Sequence, residues 1–430
     1  MTNSTKILSL FAVLGCGCEP KLEELEVGDE AAEGDTGSED QVACLSGTDL
    51  AGQPGIGFQP DCPVECSEVA AVPDLAIAWT SELELGLPAQ PPDILRKHHI
   101  ALHDDRVLIA RSGDTQGELI SLAVESGELI ESVALPGMPL LLDLVVGPES
   151  RIYATWRTSE ADWVGEISLK GETLWAHHSM HASQPTDGNV LVRTDGEGLL
   201  VLDPYGTLAR FDLDGGELDS NSVDVRALDG LHTSGAVGLG GDFFLNWFDA
   251  AGELQAEQSA TIDEVSWFAF DLAAIADDQV AVLGSLLDFP VGRGMIVGFT
   301  RGIEGARWSY EHRRAESWCA QEQGLDAADS QPTTGYDAIE GLADGRVLVG
   351  GWERLGYPFD GLEGMERPIQ PLVDLLVVEG TSASLQGRDR GLWLGHVLDV
   401  VEADDGAYAL MTHASASTTS LVVRKYDLPE

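Results

Sequence analysis

The histidines of this chain fall into two clusters whose spacing suits a bound metal ion. They are His98, His99 and His103, followed by His177, His178 and His181. Alternate residues of a strand project to the same side, and neutral imidazole is a common ligand of transition metals. One pair from each cluster therefore forms the candidate ligand set: His99 with His103, and His178 with His181. Neighbouring histidines also occur by chance at exposed strand ends, and we expect no resident metal.

No motif of nucleophilic or phosphate chemistry accompanies the histidines. The sequence has no Gly-x-Ser-x-Gly elbow, no P-loop and no glycine-rich dinucleotide fingerprint. Residues 212–216 begin like a calcium-binding loop, but Val223 stands where the bidentate glutamate belongs, so we expect a hairpin turn there. Carboxylates are abundant, and their presence alone does not identify an active site.

The charge of the chain limits its partners. It carries 73 acidic and 24 basic residues, which gives a formal net charge of −49. Such a surface repels nucleic acid phosphates and anionic lipid headgroups, so neither is an expected partner. High solubility is the simplest interpretation, and attraction of cations or basic partners is the alternative.

The N-terminus resembles a bacterial lipoprotein signal. Residues 7–14 form an apolar run that is too short to span a bilayer as a helix. The run ends just before Cys16, as in a lipobox, where the cysteine is acylated and becomes the mature N-terminus. We predict a signal peptide over residues 1–16 with Cys16 as the lipidated residue. Cys18 is a second candidate, and a soluble exported protein or an unprocessed N-terminus are the alternatives.

An acidic segment follows the predicted lipidation site. Residues 17–43 have almost no apolar content, so they cannot bury enough surface to fold, and we expect a solvated tether. The residue after Cys16 is Gly17 rather than the aspartate typical of inner-membrane lipoproteins. Resemblance to that class implies an exported protein anchored to the cell envelope, at the outer membrane, on its periplasmic or surface side. The lipid would be its only contact with the membrane.

The remaining cysteines suggest disulfides. Residues 44–70 are rich in glycine and proline and have no core of their own. An exported chain meets an oxidising compartment. The disulfide candidates are Cys44, Cys62, Cys66 and Cys319, which allow three connectivities. A zinc site is the alternative, but Cys62 and Cys66 are separated by three residues and no second pair exists.

One short phrase recurs seven times: an acidic or glycine turn followed by an apolar strand. The repeats begin at Asp104, Glu149, Asp195, Gly241, Asp277, Asp344 and Asp404. A further glycine turn often precedes one more strand, which suggests four strands per unit. A repeat of this size is typical of a propeller blade. We predict an all-β fold: a single β-propeller of about seven four-stranded blades over residues 71–430, with six to eight blades possible.

The repeat resembles known propeller families. Residues 171–175, Gly-Glu-Thr-Leu-Trp, are similar to the PQQ-like propeller repeat of bacterial exported proteins, in a degenerate form that is also WD40-like. In that family the tryptophan packs between adjacent blades, and Trp79, Trp175 and Trp308 hold its position here. The quinone-dependent dehydrogenases of the family clamp their cofactor with a vicinal disulfide. The blades here contain no adjacent cysteines, so we expect no cofactor.

The two ends of the repeat array complement each other. Residues 75–83 resemble a fourth strand, yet they precede the first complete unit. The last unit has only three strands. We therefore predict that the N-terminal strand completes the last blade, which removes exposed edges. An independent edge strand is the alternative.

Function should lie in what departs from the repeat. Two insertions, near residues 311–334 and 355–371, are expected to mark a binding face. We predict a non-enzymatic, lipid-anchored envelope propeller that binds a protein or glycan partner, similar in class to the propeller lipoprotein of outer-membrane protein assembly. A periplasmic or cell-surface hydrolase or lyase that uses channel carboxylates is the alternative. A sensor that uses the histidine clusters is a third interpretation.

Overall fold

Apolar runs bounded by glycine and aspartate turns fold this chain into short antiparallel strands. The computed structural model describes residues 46–50, 54–56, 73–87, 98–113, 115–178, 191–194, 198–203, 206–231, 235–241, 243–262, 267–286, 293–311, 334–354, 369–391, 393, 395–414 and 419–429. No helix in these segments is long and apolar enough to cross a membrane.

The strands group into a short N-terminal set and four-stranded sheets, which we call blades. The N-terminal set is β1 (Ser46–Thr48), β2 (Pro54–Ile56) and β3 (Ala76–Leu87). Blade 1 contains β4 (His98–His103), β5 (Arg106–Arg111), β6 (Gly117–Ala123) and β7 (Leu129–Leu135). Blade 2 contains β8 (Leu140–Val146), β9 (Ile152–Arg157), β10 (Asp162–Ile167) and β11 (Thr173–His178), with a 3₁₀ turn over Pro148–Ser150. Blade 3 contains β12 (Leu191–Thr194), β13 (Gly198–Leu202), β14 (Thr207–Asp212) and β15 (Glu217–Ser222).

The second half of the chain continues the pattern. Blade 4 contains β16 (Val225–Gly230), β17 (Ala236–Gly240), β18 (Phe244–Phe248) and β19 (Leu254–Ser259). Blade 5 contains β20 (Trp267–Ala276), β21 (Gln279–Leu286), β22 (Arg293–Thr300) and β23 (Ile303–Glu311). Blade 6 contains β24 (Thr334–Gly341), β25 (Val347–Arg354), β26 (Ile369–Glu379) and β27 (Ser382–Arg390). Blade 7 contains β28 (Val397–Ala403), β29 (Gly406–Ala414) and β30 (Thr419–Asp427), together with β3.

Sheet order confirms the predicted propeller. Among the described residues, seven sheets have four antiparallel strands, and six of them use four strands consecutive in sequence. The seventh has the order β28-β29-β30-β3, so the N-terminal strand closes the last blade. Its register pairs Ile77 with Tyr426 and Ser81 with Val423. The ring therefore closes by main-chain hydrogen bonds between the two ends of the chain.

Blade 4 differs from the sequence-based expectation. The phrase beginning at Gly241 was expected to lead into the second strand, as in the other units, but it leads into β18, the third. The second strand is β17, Ala-Val-Gly-Leu-Gly, which no acidic turn precedes. Strands β17 and β18 have only five residues each.

Each seam between neighbouring blades holds one hydrophobic cluster. The described residues form seven buried clusters, and each draws its members from two adjacent blades. Strand β5 shows how one strand serves two seams: Leu108 and Ala110 join the cluster with blade 2, and Val107 and Ile109 join the cluster with blade 7. Successive side chains of a strand point to opposite faces of the sheet, so a sheet that is buried on both faces contributes to both seams.

Two tryptophans dock onto a glycine turn of the next blade. The Trp79 indole Nε1 donates to the Val124 carbonyl oxygen at 2.9 Å, and its ring covers Gly127 of blade 1. Trp175 of blade 2 covers Gly215 of blade 3 in the same way. Trp308 packs in the seam between blades 5 and 6, but it covers a glycine of its own blade. All three tryptophans thus pack between blades, as the resemblance implied.

The turn at residues 212–216 is a hairpin turn, as predicted. The Asp212 carboxylate Oδ1 accepts hydrogen bonds from the backbone N–H groups of Asp214, at 3.0 Å, and Gly216, at 2.7 Å. Asp249 caps the corresponding turn of blade 4 through Ala251 and Glu253. Aspartate suits this position because its carboxylate accepts hydrogen bonds from turn N–H groups that have no backbone acceptor.

The described part of the N-terminal segment lies against blades 6 and 7. The Leu75 N–H donates to the Arg388 carbonyl oxygen of β27 at 3.0 Å. The buried Arg424 of β30 donates to the Asp49 carbonyl oxygen and to the Asp389 carboxylate. Leu50 packs against the apolar cluster of the same seam. This segment therefore covers the seam next to the closing strand.

Docking of Trp79 on Gly127 can be tested with a matched pair of glycine substitutions. Gly127 and Gly302 occupy corresponding turns with φ of 70° and 74°, so alanine strains the backbone equally at both. A Cβ on Gly127 would lie 2.5 Å from the Trp79 ring, whereas one on Gly302 meets nothing within 4 Å. We expect Gly302→Ala to lower the free energy of unfolding by about 1 kcal/mol and Gly127→Ala by about 1–3 kcal/mol more. Urea denaturation measures both values, and equal losses would contradict the docking.

Candidate functional site

The inner strands surround a central channel lined with carboxylates. Its volume is about 1110 Å³. Five blades each contribute one aspartate from the first strand, and blade 1 contributes a histidine. These residues are Asp143, Asp229, Asp271, Asp337, Asp399 and His99. We call this set the carboxylate ring.

Bulges in the inner strands help to place these side chains. The pairing between the first and second strands shifts register just before Asp143, Asp271 and Asp399. Asp337 is itself the extra residue of the bulge in β24. A bulge changes the direction in which nearby side chains point, so one irregularity, repeated in several blades, brings the carboxylates to the channel.

Asp143, Asp229, Asp271 and Asp399 of the ring accept hydrogen bonds from main-chain N–H groups. Asp143 accepts from the Leu144 N–H at 2.8 Å, and Asp271 accepts from Leu272 at 2.9 Å. Two of the aspartates also reach the next blade. Asp229 Oδ2 accepts from the Ala274 N–H at 2.8 Å, and Asp399 Oδ2 accepts from the Ile100 N–H at 3.1 Å. These bonds join blade 4 to blade 5 and blade 7 to blade 1.

His99 stands between two carboxylates of the ring. Its Nδ1 lies 3.6 Å from Asp399 Oδ2 and 3.9 Å from Asp143 Oδ1. Blade 1 thus places an imidazole between carboxylates of blades 7 and 2. A charged imidazole at this position would offset part of the repulsion among the carboxylates.

The structure separates the candidate metal ligands. His99 and His103 share a side of β4, but four residues of strand separate them by about 13 Å. His178 lies on the exposed outer strand β11, where it packs edge-on against Trp163. His181 lies outside the described residues. Within the described segments, no group of three or more histidine, cysteine, aspartate and glutamate residues is placed to hold a metal ion.

Several predicted features fall outside the described residues. These are the signal peptide at residues 1–16, the tether at 17–43, all six cysteines, and most of both insertions, at 312–333 and 355–368. Lipidation of Cys16 and the pairing of Cys44, Cys62, Cys66 and Cys319 remain predictions.

The strand ends that flank both insertions lie on one face of the ring. First and third strands begin at this face, and second and fourth strands end there, because neighbouring strands are antiparallel. Glu311 ends a fourth strand and Thr334 begins a first strand. Arg354 ends a second strand and Ile369 begins a third. We call this the loop face, and the turns between first and second strands lie on the opposite face.

An arginine and three phenylalanines lie where the channel opens on the loop face. The Arg226 guanidinium lies 5.5 Å from the ring centre of Phe243 and 5.4 Å from that of Phe268. Phe268 stacks on Phe270 at 6.4 Å, and 44% of its surface is exposed. Arg226 is held by a 2.7 Å hydrogen bond to the Gly241 carbonyl oxygen. We call these four residues the mouth cluster, and it combines cation–π contact with exposed aromatic surface.

A serine, a histidine and a glutamate meet in blade 7 without forming a catalytic triad. His413 Nδ1 lies 2.7 Å from Glu82 Oε1, and the Ser420 hydroxyl donates to the same oxygen at 2.5 Å. Burial raises the pKa of Glu82, but the hydrogen bonds from Ser420 and His413 outweigh it, so the pKa lies below its ordinary value. In a triad, serine and carboxylate occupy opposite nitrogens of the imidazole. Here both lie at Nδ1, so the histidine is not placed to activate Ser420 while the glutamate orients it.

Comparisons with known proteins show a similarity of fold and nothing finer. No family model and no curated protein matches the chain. BamB from Moraxella catarrhalis is 17% identical, covering 76% of this chain and 84% of that one, with a TM-score of 0.40. The Pan2 WD40 domain of Neurospora crassa is 10% identical, covering 83% and 99%, with a TM-score of 0.49. The WD40 domain of Toxoplasma gondii coronin is also 10% identical, covering 84% and 90%, at 0.48. The propeller assignment rests on the sheet order of the chain itself.

His98 predicts a measurable dependence of stability on pH. Burial is the largest cause that lowers its pKa, and the nearby charges of His99 and Arg111 add to the shift, so that the pKa is about 3. Below the unfolded-state pKa of about 6.5, the unfolded chain gains a proton at His98 that the folded chain does not. We expect the free energy of unfolding to fall by about 2 kcal/mol between pH 6.5 and 5 from this residue alone.

Chemical denaturation across this pH range isolates the effect. His98→Gln should flatten the slope, whereas His177→Gln, on an exposed outer strand, should leave it unchanged. An unaltered slope in His98→Gln would show that another group carries the pH dependence.

Proposed function

We propose that this protein is an exported, lipid-anchored propeller whose loop face binds a protein partner. The mouth cluster is the observation that carries the proposal. Arginine and aromatic side chains supply a large share of binding energy at protein interfaces. Arg226 and Phe268 are exposed beside the channel, and Phe243 and Phe270 are partly buried. The scaffold fixes the positions of all four through two blades.

The surroundings of the mouth cluster support this assignment. The flanks of both long insertions lie on the same face, and loops carried by a rigid scaffold commonly form binding surfaces. The carboxylate ring lies in the channel beneath the cluster. With a net charge of −49, the whole molecule favours partners with basic groups on their contact surface.

Anchoring of the protein rests on the sequence. We infer that Cys16 carries the lipid and that residues 17–43 connect it to the folded body at the outer membrane. The 30 residues from Cys16 to Ser46 could extend to about 100 Å and would average roughly 30 Å as a flexible chain. Such reach lets the loop face meet a partner at some distance from the membrane. We further propose that the other cysteines, Cys18 excepted, pair as disulfides.

Replacement of Cys16 tests the anchor. We expect Cys16→Ala to move the protein from the membrane fraction to the soluble fraction, because one acyl-bearing residue supplies the whole attachment. Cys18→Ala is the matched control and should stay membrane-bound. Membrane fractionation followed by immunoblotting measures the location of both variants. If Cys16→Ala stayed in the membrane fraction, the lipid anchor would be refuted, but the proposed binding face would be unaffected.

A photo-crosslinking amino acid placed at position 268 tests the binding face in the native envelope. We expect a discrete protein adduct there, and none from position 174 on the outer strand of blade 2, although Leu174 is 56% exposed. Phe268→Ser should weaken capture of the same partner by about tenfold, the effect of losing one interface hot spot. Leu174→Ser should capture it normally.

Two outcomes would refute the binding assignment. One is the same adduct at both positions, since contact would then be unspecific. The other is turnover of glycoside substrates that disappears in Asp271→Asn, since the channel would then be the active site of a hydrolase.

A further inference from the structure

The seam between blades 3 and 4 contains a groove that the mouth cluster does not use. Strands β17 and β18 have five residues each, whereas β21 and β22 of the next blade have eight. The short strands leave a groove of about 630 Å³ against the outer strand of blade 3. A volume of this size is typical of small-ligand sites.

Two glycines form part of the wall of the groove. A Cβ on Gly240 would lie 2.7 Å from the Asp224 carbonyl oxygen and 3.2 Å from the Asn246 amide nitrogen, so no side chain fits there. Gly252, with φ of 75°, lines the groove where an L-residue would be strained. The local shape of the wall therefore depends on glycine at both positions.

A buried amide provides the polar centre of the groove. Asn246 is 8% exposed and lines the groove. Among the described residues its side chain makes one hydrogen bond, a long one of 3.4 Å from Nδ2 to the Phe244 carbonyl oxygen. The amide oxygen and the second amide hydrogen remain available to a ligand. A largely buried amide with unused hydrogen-bonding capacity indicates that the groove is built to hold a polar molecule.

The walls combine an aromatic surface with hydrogen-bond acceptors. Phe244 is 37% exposed at the groove. Glu257 lies directly across the sheet from Asn246, so the two side chains share a face. Asp224 and Asn221 line the blade 3 side. An apolar face next to several closely spaced acceptors matches a molecule with one C–H face and a rim of hydroxyl groups.

We propose that this groove binds a neutral or amino-substituted saccharide. The C–H face of a sugar ring packs on the Phe244 ring, and its hydroxyl groups donate to the carboxylates of Asp224 and Glu257. The Asn246 amide donates to one sugar oxygen and accepts from a hydroxyl. The same carboxylates repel uronic acids and phosphorylated sugars, and they favour an amino sugar.

The groove is separate from the mouth cluster. Phe243 packs toward the seam with blade 5, and Phe244 toward the seam with blade 3. One face of blade 4 therefore serves the proposed protein interface, and the other serves the saccharide groove. The two sites can be removed independently.

Isothermal titration of the purified protein with defined hexasaccharides tests the proposal. The probes are cellohexaose, chitohexaose, its deacetylated form and hexagalacturonate. We expect binding of at least one neutral or amino-substituted probe and no binding of hexagalacturonate. Phe244→Ala should weaken that binding by about tenfold, as expected for loss of an aromatic contact. Glu257→Gln should weaken binding of the deacetylated probe most.

Two control variants separate this site from the protein interface. Leu218→Ala removes an exposed apolar side chain of blade 3 that lies outside the groove. Phe268→Ser removes the most exposed phenylalanine of the mouth cluster. Both variants should bind saccharide normally. Lack of binding by all neutral and amino probes, tighter binding of hexagalacturonate, or unchanged affinity in Phe244→Ala would overturn the proposal. None of these results would bear on crosslinking at position 268.

Discussion

Every blade of this protein is apolar on both faces, and the rest of the structure depends on that constraint. In β5, Val107 and Ile109 are buried against blade 7, whereas Leu108 and Ala110 are buried against blade 2. A row of such sheets would always leave two apolar faces in water. A closed ring leaves none, which is why the seventh sheet has to form between distant parts of the chain. The central channel is the space that this closure encloses.

The channel shows how structural requirements produce a chemically distinctive surface. Four of the five aspartates of the ring accept hydrogen bonds from main-chain N–H groups, and Asp229 and Asp399 in this way also join neighbouring blades. These carboxylates thus have a structural role in the ring, apart from any role in binding. The proposed binding surfaces lie where blade 4 departs from its neighbours: Arg226 contacts Phe268 at the channel opening, and β17 and β18 have only five residues each. The same blade contributes to both proposed sites because its two faces meet different neighbours.

The sequence was sufficient for the ring but not for its surfaces. Closure could be predicted because Trp79 lies in a strand-like segment before the first complete unit, while the last unit lacks one strand. Blade 4 was misaligned because Gly238 and Gly240 replace the usual apolar residues of a second strand. The carboxylate ring carried a signal, an aspartate after an apolar run in several first strands, but aspartate is too common in this chain for it to stand out. The contact of Arg226 with Phe268 depends on how two blades pack, which no local pattern encodes.

The pairing of β3 with β30 has a consequence for how the protein is made. Strand β3, at Ala76–Leu87, emerges from the ribosome or from an export channel long before its partner β30, at Thr419–Asp427. Throughout that interval β3 is an unpaired edge, and the outer face of the first blade lacks its covering neighbour. The ring can therefore mature only after the whole chain has been delivered, as one late event with very distant contacts. Once formed, the seventh blade holds β3 and β30 in a single sheet, so removal of either strand would act directly on the closure.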